Sequence, residues 1–137
     1  MSRTIAIVGC GSQKQDLDDG ELIPLVELYT SNYFHLKQEF SEEFCDDYLI
    51  FSAKFGLVDP YRPITESYEK SISDLSTSEL RDLQHSIRKT LDEYEASTRL
   101  VILAGQNYIE AIDPILQTHQ GEIALPFEGT SGVGDQM

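Results

Sequence analysis

Apolar positions along this chain follow two rhythms. Four short runs, at residues 4–8, 48–52, 99–104 and 122–126, are nearly continuous and rich in Ile, Leu and Val. Runs of this length predict buried strands. Between them the apolar residues recur at helical spacing. Residues 31–44 carry Phe34, Leu36, Phe40 and Phe44 on a predicted first helix. The second helix is the clearest. Ser76-Thr77-Ser78-Glu79 fits a capping box, and Leu80, Leu83, Ile87, Leu91 and Tyr94 follow on one face. The third spans residues 107–118 with Ile109, Ile112, Ile115 and Leu116, and Pro114 is expected to bend or divide it. Strands alternating with helices predict an α/β fold: a mainly parallel four-stranded sheet covered on both faces, a three-layer α/β/α sandwich. A length of 137 residues suits one domain, residues 1–137, and is too short for two.

Three irregular stretches, residues 15–27, 56–73 and 127–137, each follow a predicted strand. All three are therefore expected on the carboxyl edge of the sheet, where ligands of open α/β sheets bind. The first strand opens into Gly9-Cys10-Gly11-Ser12-Gln13-Lys14. The spacing is not that of a P-loop, and the third glycine of the dinucleotide fingerprint is missing. One reading makes Cys10 a nucleophile whose thiolate is favoured by Lys14. Gly9, Gly11, Ser12 and the turn amides would then hold an anion. The other makes Cys10 a small buried residue closing a strand, with Lys14 in water.

Further along, Leu28-Tyr29-Thr30-Ser31 precedes the first helix. Tyr29 offers a flat face for a base, and Ser31 or Thr30 caps a helix start that favours anions. An N-cap with core tyrosines explains the segment equally well. Phe51-Ser52-Ala53-Lys54-Phe55-Gly56 ends the second strand. Here Lys54 would meet a phosphate or an oxyanion, with Ser52 and Gly56 shaping the turn. Glu66 and Tyr68 lie in the polar loop beyond, where Glu66 is either a general base or an ordinary exposed acid. Ala104-Gly105-Gln106-Asn107 again leads from a strand into a helix, and Asn107 is expected to cap it or to read a base edge. Glu128 and Gly129 begin the glycine-rich end.

Charge narrows the partners. Ten Lys and Arg face twenty-four Asp and Glu, a formal net charge of −14 spread over the whole chain. That balance opposes a large non-specific nucleic-acid surface, which needs many cations on phosphates. It leaves room for a small site that takes a nucleotide or a base. The charge fits an ordinary acidic cytosolic protein or one adapted to a high-salt cytoplasm, and a total of only five lysines favours the latter. No signal peptide and no membrane-length apolar stretch is visible, so a cytoplasmic location is expected. Cys10 and Cys45 make no disulfide framework. His35, His85 and His119 have no ligand spacing, so neither a metal nor another cofactor is expected. Oligomeric state is left open.

The ordered set Val8-Gly9-Cys10-Gly11-x-x-Lys14, Leu28-Tyr29-x-Ser31-x-x-Phe34 and Ser52-Ala53-Lys54-x-Gly56-Leu57-Val58-x-Pro60, followed by Tyr68, resembles an uncharacterised family of small domains. These occur in bacteria, archaea and their viruses. The resemblance runs to the closing Gly-x-Gly-x-Gln segment, which in that family leads into a short further helix not contained here. More distantly, the order is similar to a domain of archaeosine synthase and archaeal tRNA-guanine transglycosylase. Cys10, Lys14, Tyr29, Ser31, Gly56, Pro60 and Tyr68 are the matching positions. The interval from Lys14 to Tyr29 is much longer than in that relative, and Glu69 follows Tyr68 where the relative has Asp. The resemblance implies a uracil-DNA-glycosylase-like fold and a link to modified bases or nucleotides. The expected function is an enzyme acting on a nucleotide or nucleobase, with Cys10, Lys14, Lys54 and Glu66 in catalysis. The alternatives are a non-catalytic nucleotide-binding or sensing module and, third, an acidic inhibitor that mimics nucleic acid.

Overall fold

The computed structural model describes residues 3–9, 17, 20–65, 72–95 and 97–124. Along the chain come β1 (Thr4–Gly9), β2 (Ile23–Pro24), α1 (Asn32–Phe44), β3 (Asp47–Ser52), β4 (Gly56–Val58), β5 (Pro63–Ile64), α2 (Thr77–Leu91), β6 (Arg99–Leu103), α3 (Gln106–Leu116) and β7 (Ile123–Ala124). The main sheet has five strands in the order β4-β3-β1-β6-β7. β1 pairs in parallel with β3 and with β6, and β6 with β7.

The four expected strands are all present, and the sheet gains a fifth. β4 turns back antiparallel on β3 at the sheet edge, pairing Ser52 with Gly56 and Ile50 with Val58. A three-residue loop joins them, and Gly56 sits in the left-handed region at φ 74°, the usual geometry of such a hairpin. Three residues are too few to show a period, which is why the sequence reads as loop there.

The core lies on both faces of the sheet. Ile5, Ile7, Leu49, Phe51, Leu100 and Ile102 point to the side of α2 and α3. Their neighbours Ala6, Val8, Tyr48, Ile50, Val101 and Leu103 point to the side of Phe34 and Leu25. This two-residue alternation is what a strand buried on both faces requires. The fold is thus α/β/α in layers, with α1 on one face and α2 with α3 on the other.

The helices differ from expectation in three places. On α1 the inward positions are Phe34, Lys37 and Ser41, whereas Leu36, Phe40 and Phe44 are 42%, 40% and 64% exposed. α3 begins at Gln106 with Gly105 as its N-cap and no side-chain cap, so Asn107 lies inside the helix. Pro114 sits within α3 without dividing it. It falls in the last turn, where the carbonyl that loses its partner belongs to exposed Glu110 and meets water. α2 carries the expected capping box, Ser76 Oγ accepting from Glu79 N and Glu79 Oε1 from Ser76 N. Two of the irregular stretches are joined: β2 pairs with β5, and Leu25 N and Val26 N donate to Arg62 O and Pro60 O, both at 2.8 Å.

Candidate functional site

Each helix returns the chain from the carboxyl edge of the sheet to the amino edge, so all three helix N-termini stand at the carboxyl edge. From β1 the chain crosses α1's face to β3, and from β6 it crosses the opposite face to β7. The connections therefore part between β1 and β6. In open α/β sheets that parting is where a ligand crevice forms, beyond the carboxyl ends of the two strands.

Three features meet there. Gly9 ends β1, and a Cβ on it would stand 2.8 Å from the Cβ of Ala104 and 3.2 Å from its Cα. The two strand ends thus approach closely, and only glycine fits. Gly105, one residue on, has nothing within 4 Å of its Cβ position, so the chain opens into space at the start of α3. Finally, Lys37 reaches across from α1 and donates from Nζ to Gly9 O at 2.8 Å. Lys37 is only 5% exposed, the one buried charged side chain among the described residues. Ser41 Oγ in turn donates to Lys37 O at 2.8 Å, which ties the next turn of α1 to it.

β3 ends one strand away. Ser52 is buried, and its Oγ accepts from Lys54 N and Phe55 N at 3.1 and 3.2 Å, holding the turn. Lys54 is exposed, with its ammonium 5.3 Å above the Phe55 ring, and the Arg62 guanidinium lies 4.7 Å from the same ring. Lys54 borders a recess of about 280 Å³ whose other walls include Leu75, Glu79, Asp82 and Ser86. A recess of about 320 Å³ lies at the opposite edge, among Arg88, Tyr94, Glu95, Thr118 and His119, where α2 and α3 end. His119 is committed there, its Nε2 donating to Thr98 O at 2.6 Å. That larger recess lies away from every strand end of the carboxyl edge and from every residue marked by the sequence.

Among the residues marked by sequence, Gly9 and Gly105 come together at the parting of β1 and β6. Ser52, Lys54 and Gly56 gather at the end of β3. Ser31 is the N-cap of α1, its Oγ accepting from Phe34 N at 3.1 Å. Tyr29 is placed differently from expectation. It is 1% exposed and its ring packs 4.8 Å from that of Phe34. The face expected to stack on a base is turned into the core. Cys10, Gly11, Ser12, Lys14, Glu66, Tyr68, Glu128 and Gly129 lie outside the described residues. Lys37 was missed, because a lysine in a helix read as amphipathic is counted to its solvent face. The available signal was its spacing of three from Phe34 and four from Ser41, on the inward stripe.

Among the described residues no group of three or more His, Cys, Asp or Glu gathers to hold a metal ion. None of their helices is long and apolar enough to cross a membrane. Cys45, at the end of α1, has its thiol pushed up by burial, against which nearby Arg99 pulls it down.

An uncharacterized protein of Bacillus subtilis (strain 168), YfjM, is 24% identical over 139 residues, covering 96% of this chain and 89% of that protein. No solved structure matches. The family model that matches describes a family of unknown function (DUF6884) and takes in residues 5–137. With nearly the whole length matched, the chain belongs to the DUF6884 family.

Proposed function

We propose that the crevice beyond the carboxyl ends of β1 and β6 binds a nucleotide or nucleobase, and that the protein is an enzyme acting on that ligand. The observation that carries this reading is the parting of the chain connections between β1 and β6, with Gly9 closing one strand end and Gly105 opening the other. The segment that follows Gly9 is Cys10-Gly11-Ser12-Gln13-Lys14, which supplies a thiol, a hydroxyl and an amine to the same edge. Lys54 stands at the neighbouring strand end. A parallel sheet with helices on both faces is also what the likeness to the uracil-DNA-glycosylase-like domain leads one to expect, and modified bases are among the substrates this reading includes. The acidic surface suits work in a salty cytoplasm.

The test is a thermal-shift screen of free bases, nucleosides and nucleotides, followed by a turnover assay on every compound that raises Tm. The expected result is stabilisation by at least one such compound and its conversion, with turnover lost in Cys10→Ala and reduced in Lys54→Ala. A ligand that stabilises the protein and is never consumed makes the protein a binding or sensing module instead. A complete absence of stabilisation across the panel overturns the reading.

A further inference from the structure

Lys37 and Lys54 both serve the carboxyl edge, in opposite electrostatic settings. Lys54 is exposed, and the recess it borders also holds Glu79 and Asp82. A phosphate seated there would meet two carboxylates as well as one ammonium. Lys37 is 5% exposed and is held at the last residue of β1 by its bond to Gly9 O. That is the strand end on which the crevice opens. A charge in low-dielectric surroundings acts several times more strongly on a neighbour than the same charge in water. Its position is also fixed in advance. Phe34 and Ser41 flank it on the buried stripe of α1, and Ser41 Oγ bonds its carbonyl. Little side-chain freedom is left to lose on binding.

We propose that Lys37 is the anion-binding group of this crevice and that the ligand is therefore phosphorylated, a nucleotide in preference to a nucleoside or free base. This rests on the nucleotide reading above and sharpens it. The role expected of Lys54 from sequence passes to a lysine on a different element.

The experiment compares a nucleoside with its 5′-monophosphate by titration calorimetry on the wild-type chain, Lys37→Met and Lys37→Arg. Inorganic phosphate is run as a third ligand. The wild type is expected to favour the monophosphate by about tenfold or more, the size of one charge-assisted hydrogen bond. Lys37→Met removes that preference while leaving nucleoside affinity within about threefold, and Lys37→Arg keeps most of it. A folded Lys37→Met that keeps the full preference overturns the assignment. So does a wild type that binds nucleoside and monophosphate equally, which leaves the nucleotide reading standing. If neither binds, both fail. Should Lys37→Met not fold, wild-type protein carrying carbon-13 lysine decides. The lysine Cε signal absent from Lys37→Arg must move on adding inorganic phosphate, and a signal that stays fixed overturns the proposal.

Discussion

Gly56 holds the left-handed conformation that turns β3 back into β4. A side chain there carries the left-handed penalty of about 1–2 kcal/mol. Its Cβ would also press on Ser86 Oγ at 3.4 Å and Leu83 Cδ1 at 3.5 Å, both on α2. Gly56→Ala is therefore expected to lower stability by about 1–3 kcal/mol in urea unfolding. Proton linkage at single residues gives a second expectation. Burial pushes the phenols of Tyr48 and Tyr94 up, helped at Tyr48 by Tyr61 and Glu42, and burial likewise raises the Cys45 thiol. Each is an acid that keeps its proton longer in the folded chain than in the unfolded one. Their contribution is intact below the pH at which the free groups ionise, and it is lost as pH rises through and above about 8.5–10. Stability should fall along that limb. Tyr48→Phe should fall less steeply, since the phenol that is pushed up furthest is gone. At neutral pH the same substitution should be neutral or slightly stabilising. Tyr48 Oη is buried without a hydrogen-bond partner, although Tyr61 and Gln38 lie near enough to affect its ionisation.

On the scale of elements, α1 separates what periodicity can show from what it cannot. Phe34, Leu36, Phe40 and Phe44 are the large apolar residues of the segment, and counting them assigns the core face to the wrong side. The stripe that meets the sheet is Phe34, Lys37 and Ser41, two of which no apolar count selects. Phe40 and Phe44 instead pack on each other at the surface, ring centroids 4.9 Å apart. Phe34→Ala should then cost about 3–5 kcal/mol, the range for an aromatic removed from a core. Phe44→Ala should stay within about 0.5 kcal/mol, as surface changes do. Parallel urea titrations of the two variants check the orientation of the helix, and similar losses would contradict it. α2 was legible for the opposite reason. Its cap, its stripe and its polar face all agree, and Leu83 and Ile87 are buried as spaced. β1, β3 and β6 were legible because continuous Ile, Leu and Val runs have one use in a domain of this size, a strand covered on both faces.

At the scale of the whole molecule, the alternation of strand and helix was enough to predict layers and a mainly parallel sheet. It could not supply the strand order, which long-range pairing decides, and hence could not show that the connections part between β1 and β6. Gly9 and Gly105 read as separate turn signals for that reason, although their strand ends lie side by side. The net charge of −14, by contrast, is fully legible and acts on the molecule as a unit. Acids spread over the whole chain repel one another more in the folded state than in an expanded one. Raising KCl from about 0.01 to 1 M shortens the screening length from about 30 to about 3 Å. Tm at pH 7 should accordingly climb by several degrees over that range and level off towards its upper end. Chloride is the anion to use, since sulfate would strengthen apolar burial by exclusion and confound the reading. The control is the same series near pH 4.3, the isoelectric point. With the net charge removed, the climb should largely vanish. A climb of equal size at both pH values would mean that salt acts through burial or specific ion binding, and that the acidic surface does not limit the stability of this fold.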